Sequence, residues 1–416
     1  AAAGGRGRPG GAMAPAARLP LAACLPLALA RQLDLAGWMG QLAPVLGEAT
    51  LLDLSLPGAH DAMSYDLSTT LSEGFEGMGP VLSKILHGVT PYVAGRFIRD
   101  QGRTQGLGVV GMLDSGIRFI DFRIMYTDTP GKESSKDWYC LHGCQSKLPA
   151  LEYLKQVRGC LDKHPQEVLV FWVSRHGDSG PTGTGQYPDT TPEQRQAFFE
   201  RVRSVFGGLL FDAGAGRLNE TSVKALWERR QRVVWYAADY AQSTNSSGLA
   251  LDSRLIDNRL PGAGRSFGAL GLFRGGASLL AQSKAADHFL LVSMAESSPE
   301  GQVKAAAELA FLPFARAAGA AERCARSFGI PGMASWCPMT LLDCSQLVNF
   351  YNQRALEAAY VESATEEAVD FPNAIYIDAV DSRGRIRTGA GLLGSGGAGP
   401  DAGYAYAATL VGASAR

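Results

Sequence analysis

Apolar residues along this chain fall into short unbroken runs separated by longer stretches with a three-to-four-residue beat. The runs Thr50–Leu56, Ile117–Met125, Trp138–Leu141, Val168–Val173, Arg232–Tyr236, Phe289–Met294 and Ala374–Ile377 are rich in β-branched and aromatic residues. Strands covered on both faces have this character. The helical beat occupies about 147–163, 192–206, 299–318 and 343–359. Asp343 is a start signal for the last of these, which carries Leu347, Val348, Tyr351 and Leu356 on its beat. Strand–helix alternation over more than 300 residues predicts an α/β fold with a parallel sheet. A TIM-type (β/α)8 barrel, with room for distortion, is the economical single-domain solution.

The ends read differently. Residues 1–17 offer almost nothing to bury, and Leu19–Ala30 is an apolar stretch closed by Ala28-Leu29-Ala30. Residues 13–30 therefore predict a signal peptide within a leader spanning 1–30. The barrel is expected over 31–385, and a Gly/Ala-rich segment over 386–416. Apart from Cys24 in the leader, the cysteines are Cys140, Cys144, Cys160, Cys324, Cys337 and Cys344, an even set that predicts disulfides in an exported chain. Asn219-Glu-Thr221 and Asn245-Ser-Ser247 are sequons usable in that compartment. Together these features predict a secreted or lumenal glycoprotein.

Charge narrows the partners. Lys and Arg number 39 against 40 Asp and Glu, a net charge of −1, so there is no electrostatic footprint for nucleic acid. Any membrane contact must then rely on apolar area. The segment 71–99, with Phe75, Met78, Val81, Ile85, Leu86 and Tyr92, predicts either a cap on the barrel or an interfacial helix. No obligate protein partner is indicated.

Three clusters end predicted strands: Pro57-Gly-Ala-His60-Asp61, Gly116-Ile-Arg118-Phe-Ile-Asp121-Phe-Arg123 and Leu141-His142-Gly143. In a barrel such ends converge on one mouth, where active sites lie. Asp121 and Arg123 are two apart on a strand and share a face. Two histidines, carboxylates and an arginine suit acid–base phosphoryl chemistry: one imidazole takes a proton, the other returns one, and the guanidinium meets phosphate charge. Cys140 and Cys144 bracket His142, but an imidazole fixed on zinc could not shuttle protons, so disulfides are expected there and no metal.

In this order the clusters resemble the X region of phosphatidylinositol-specific phospholipase C, and Glu167–His176 is similar to its fourth strand. The resemblance implies a TIM-type barrel that cleaves the phosphodiester of phosphatidylinositol or a glycosylated inositol lipid at a membrane surface. The calcium-dependent branch has Asn, an acidic residue and Glu where this chain has Asp61, Arg123 and Ser174. The pattern thus resembles the metal-independent branch, and no cofactor is expected. Carried over, His60 is the general base, His142 the general acid and Arg123 the phosphate ligand. Asp61 orients His142, Asp121 holds Arg123, and Asp378 pairs with His60, with Asp381 the second choice. Substrate-contact candidates are Arg175, Tyr236 and Tyr240, although core packing is the default for either tyrosine. The competing readings are a metal-dependent enzyme of the glycerophosphodiesterase or sphingomyelinase D kind, and a lipid-binding barrel without turnover.

Overall fold

The computed structural model describes residues 34–71, 91–132, 134–175, 190–237, 248–259, 287–293 and 372–380. Eight parallel strands lie in the spatial order β9-β10-β11-β1-β3-β6-β7-β8. They are β1 (Leu56–Ala59), β3 (Phe119–Asp128), β6 (Leu169–Arg175), β7 (Val233–Ala237), β8 (Leu251–Asp252), β9 (Ile256–Arg259), β10 (Phe289–Ser293) and β11 (Ala374–Ile377). β8 and β9 are one stretch of chain interrupted by a 3-10 turn at Ser253–Leu255, so the backbone itself carries the ring from one edge to the other. This is a distorted α/β barrel of the TIM type.

Alternation sorts each strand between two cores. Outward-facing Ile120, Phe122, Phe171, Val173, Trp235, Val292 and Ile377 belong to one core that also takes in the buried faces of helices α3 (Ala150–Lys163) and α4 (Pro192–Phe206). In α3 the buried positions Ala150, Tyr153, Leu154, Val157 and Leu161 follow the helical beat. α4 begins on a capping box between Thr191 and Gln194 with Pro192 at its first position. Inward-facing Phe119, Val170, Val234, Phe289, Leu291 and Ala374 fill the barrel's lower half, which the segment bearing Leu35, Trp38, Met39 and Leu42 closes from below. Above them the inward positions turn polar.

Two expectations need correction. Thr50–Leu56 is not a strand: Thr50 makes only an isolated bridge to Ser222, Thr50 and Asp53 form a capping box around a 3-10 turn at Leu51–Asp53, and the strand begins at Leu56. The apolar run is real, but the Thr-x-x-Asp local hydrogen bonds compete successfully with extension. The Trp138 run is a strand, β4 (Lys136–His142), yet it is not a barrel strand. β3 overshoots the barrel and β4 returns antiparallel to it, followed by β5 (Cys144–Pro149) and β2 (Leu67–Leu71). An apolar run does not state the direction of its partner.

Helix α1 (Pro91–Gly102) lies against this antiparallel extension. Two glycines seven residues apart, on one helix face, allow the approach. A Cβ at Gly95 would meet the Thr69 carbonyl oxygen at 2.0 Å, and one at Gly102 would meet that of His142 at 2.3 Å. The short helix α2 (Val109–Asp114) then leads into β3. The leader, most of the 71–99 segment (residues 72–90), the helical patterns at 299–318 and 343–359, and the C-terminal segment lie outside the described residues. Among the described residues no helix is long and apolar enough to cross a membrane.

Cys140, Cys144 and Cys160 are free, buried thiols, so the bridges expected of them are not formed. Burial raises the pKa of each, that of Cys144 to about 12, which keeps them protonated and inert at neutral pH. Cys24, Cys324, Cys337 and Cys344 are outside the described residues.

Candidate active site

His60 leaves the end of β1, and Asp61 follows it in the left-handed region (φ 44°), which Asp tolerates better than most side chains. Its backbone N–H donates to Asp121 Oδ2 at 3.0 Å, fixing the turn against β3. Asp121 and Arg123 both point into the barrel. A bulge in the β3–β6 ladder lies between them and sets Arg123 opposite Arg175. Asp378 immediately follows β11, the other neighbour of β1. His142 ends β4; since Cys140 pairs with Ile124, the returning strand brings the imidazole back to the mouth. Gly143 (φ 73°) permits the tight reversal into β5, which explains the His-Gly pair.

The two histidines are held by their inner nitrogens. His60 Nδ1 lies 2.6 Å from Asp378 Oδ1, and His142 Nδ1 donates to the Gly102 carbonyl at 2.6 Å. Both Nε2 atoms face the same oxygen, Asp61 Oδ2, at 3.6 Å from His60 and 3.5 Å from His142. Arg123 pairs with Asp61 Oδ1 through Nε and lies 3.3 Å from Asp121 Oδ2. Its Nη2 is 2.6 Å from His60 Nε2. A guanidinium only donates, so this contact holds the neutral ring with its proton on Nδ1. A proton on Nε2 requires Arg123 to turn away.

The surrounding charges act in opposite senses. Burial alone would lower the His60 pKa, but the negative charges of Asp61 and Asp378 outweigh both burial and Arg123 and raise it from 6.5 to about 9. Burial raises the pKa of Asp61 despite Arg123 and the two histidines. Asp121 is also penalised by burial, yet Arg123, His60 and the hydrogen bonds from Ser174 and the Asp61 N–H bring its pKa below the ordinary value. The two neighbouring carboxylates are therefore driven apart, the pattern of a site that handles protons. Neither Asp61 oxygen receives a hydrogen bond among the described residues, although both lie in ion-pair contact.

His60, Asp61 and Asp121 present potential metal-ligand atoms within 4.8 Å of one another. Arg123 lies against all three, so the position a cation would take is already served by a fixed positive charge.

Six of the sequence candidates, His60, Asp61, Asp121, Arg123, His142 and Asp378, thus converge. Tyr236 does not join them: it is 1 % exposed and packs 6.2 Å from Phe289 in the lower core. Arg175 ends β6, and Tyr240 and Asp381 lie outside the described residues. The Gly102 carbonyl, Ser174 as a partner of Asp121, and the buried pair Thr104–Gln105 were not singled out for these contacts. A backbone acceptor has no residue type to betray it, and Arg103-Thr-Gln-Gly106 has the composition of a solvent loop.

Comparison with known proteins gives the context. PI-PLC X domain-containing protein 1 of Mus musculus is 27% identical over 201 residues, 48% of this chain and 52% of the relative. The chain is thus similar to PI-PLC X domain-containing proteins over about half of its length. PI-PLC X domain-containing protein 3 of Homo sapiens is 27% identical over 203 residues, 49% of this chain and 57% of the relative. The chain spans about half the length of the curated relatives it matches. No protein-family model matches it. Among solved structures it is similar to the phosphatidylinositol-specific phospholipase C of Listeria monocytogenes (TM-score 0.48, 13% identity, 83% of this chain and 94% of that one). It is likewise similar to that of Staphylococcus aureus (TM-score 0.47, 13% identity, 91% and 97%).

Proposed function

We propose that this chain cleaves the phosphodiester of phosphatidylinositol, or of a glycosylated inositol lipid, by acid–base catalysis without a metal. One observation carries the reading. Two histidines, each held by its Nδ1, present their Nε2 atoms to a single Asp61 oxygen beside a guanidinium. A phosphate entering there competes with the carboxylates for Arg123 and draws Nη2 off His60. That frees Nε2 to accept a proton.

His60 then takes the proton of the inositol 2-hydroxyl as its oxygen forms the new bond to phosphorus. The bond from phosphorus to the diacylglycerol oxygen breaks, and His142 gives that oxygen its proton. The products are diacylglycerol and a cyclic inositol phosphate. The nucleophile belongs to the same molecule as the phosphate, so the attack has the proximity advantage of an intramolecular step. Arg123 neutralises the phosphoryl oxygens as their charge grows. Asp378 stabilises the His60 imidazolium, and Asp121 restrains Arg123. The substrate would reach the mouth at a membrane surface, and the signal-peptide-like stretch 13–30 and the two sequons support a place in the secretory pathway.

The test is cleavage of phosphatidylinositol vesicles in excess chelator by the full chain and by the His60→Ala and His142→Ala variants. Turnover that survives chelator and is lost in both variants is expected. Turnover abolished by chelator would favour the metal-dependent alternative. Headgroup binding without turnover, unaffected by either substitution, would favour a lipid-binding barrel.

A further inference from the structure

Thr104 and Gln105, just beyond α1, are both fully buried. The Gln105 side-chain amide spends every group it has on the backbone around the His60–Asp378 pair. Nε2 donates to the His60 carbonyl at 2.7 Å and to the Ile377 carbonyl at 2.9 Å, and Oε1 accepts from Val380 N–H at 2.9 Å. Between those last two contacts, Ala379 N–H donates to the Thr104 carbonyl at 2.6 Å. Asp378 is thus gripped through the residues on both sides of it, and His60 through its own carbonyl. The turn so held is one that needs holding. Ala379 sits at φ 52°, a conformation a residue with a Cβ keeps only where its surroundings over-determine it. Ser64 completes the arrangement, its Oγ accepting from the Thr104 and Gln105 N–H groups.

We infer that Gln105 is a positioning residue for the reaction: it joins the ends of β1 and β11 and thereby sets the hydrogen bond between His60 and Asp378 without touching either side chain. A Nδ1–Oδ1 contact of 2.6 Å tolerates little displacement before it weakens. The groups facing the His60 ring come from three places: Asp378 after β11, Asp61 after β1, and Asp121 with Arg123 on β3. Of these, Asp378 alone is held by Gln105 on both flanks, so loss of the amide weakens one specific raising influence on His60 and leaves Arg123 in place to oppose protonation. The catalytic consequence rests on the two-histidine reading above; the geometric one does not.

The full chain, Gln105→Met (similar volume, no amide), Gln105→Glu (keeps the acceptor for Val380 and, when neutral, one donor) and Phe198→Leu (a destabilising control on the buried face of α4) are compared. Two readouts are taken: nitrogen-15 imidazole titration with the downfield His60 Nδ1 proton resonance, and kcat and KM on phosphatidylinositol vesicles. In Q105M the His60 midpoint is expected to fall by about one pH unit or more. The downfield proton broadens or disappears, and kcat drops about 10- to 100-fold at little-changed KM. Q105E falls between Q105M and the parent, and F198L keeps the parent's resonances and titration. Folded Q105M or Q105E with the parent's His60 titration and downfield proton would overturn the inference, as would equal changes in F198L. Should Q105M not fold, Q105E carries the same comparison. A parent chain that shows these Gln105-dependent resonances but no turnover would defeat the proposed reaction and leave the positioning role standing.

Discussion

Arg118 and Arg123 belong to one short motif, are both largely buried, and do opposite things. Arg118, 1 % exposed, lies just before β3 at the closed end of the barrel. It donates to Glu167 and to the carbonyls of Leu35, Ala36, Leu113 and Ile117, while Glu167 accepts from the N–H groups of Met39 and Gly40. Charge and hydrogen-bonding capacity are both satisfied, and the cluster ties the segment closing the barrel to two strands. Arg123, at the open end, meets Asp61, Asp121 and His60 in a group that leaves both Asp61 oxygens without a hydrogen bond. A saturated buried cluster is structure; one with charges in contact and acceptors unfilled is prepared for a ligand.

Breaking the two ends separately should give different signatures. The largest effect expected is on turnover in Arg123→Lys, which keeps the charge but loses the fork: at least about 100-fold, with the denaturation midpoint near the parent's. Phosphatidylinositol cleavage and urea unfolding measure both, and a variant as active as the parent would remove Arg123 from the chemistry. Arg118→Met reverses the pattern. It strands Glu167 and costs about 3–5 kcal/mol of stability, while turnover per folded molecule holds. Specific activity corrected for folded fraction decides between these outcomes.

Next in size is a pH effect at the open end. His60 titrates at 6.5 when unfolded and at about 9 when folded, so it binds its proton more tightly in the native state. The resulting stability, roughly 3 kcal/mol, is fully present below pH 6.5 and is lost as pH rises through about 9. Urea unfolding of the parent and of His60→Gln across that window should converge toward high pH; parallel curves would refute the assignment. The smallest change expected is in Gly102→Ala. Its Cβ would meet the His142 carbonyl oxygen at 2.3 Å and push α1 back, moving the Gly102 carbonyl off His142 Nδ1. A decrease in kcat of about tenfold, with a stability loss of about 1 kcal/mol or slightly more, is expected from steady-state kinetics and thermal unfolding.

Where the chain's own neighbours decide an outcome, the sequence reads well. Residues 192–206 form a helix with the expected bounds because its cap, its proline and its apolar face are all local. The 147–163 pattern becomes Ala150–Lys163 because Cys144–Pro149 is drawn into β5. Residues 50–56 fail for a related reason, since a capping box outcompeted an apolar run. The candidate site is legible as residue types at strand ends: His60, Asp61, Asp121, Arg123, His142 and Asp378 carry side chains whose burial needs a reason.

The sequence by itself therefore determined the barrel class, the mouth and the titratable side chains gathered there. Tertiary structure alone decided that β4 runs antiparallel, that Tyr236 sits in the core, and that Arg118 braces the closed end while Arg123 pairs with Asp61, Asp121 and His60 at the open end. It also decided that His142 is oriented by the Gly102 carbonyl and that Gln105 spans His60 and Ile377. The division has a physical basis. Burial preference and charge reside in side chains and are written in the residue type. Strand direction, backbone acceptors and the saturation of a charged cluster depend on which groups the fold brings together, such as Gly102 with His142, 40 positions apart, and Gln105 with Ile377, 272 apart.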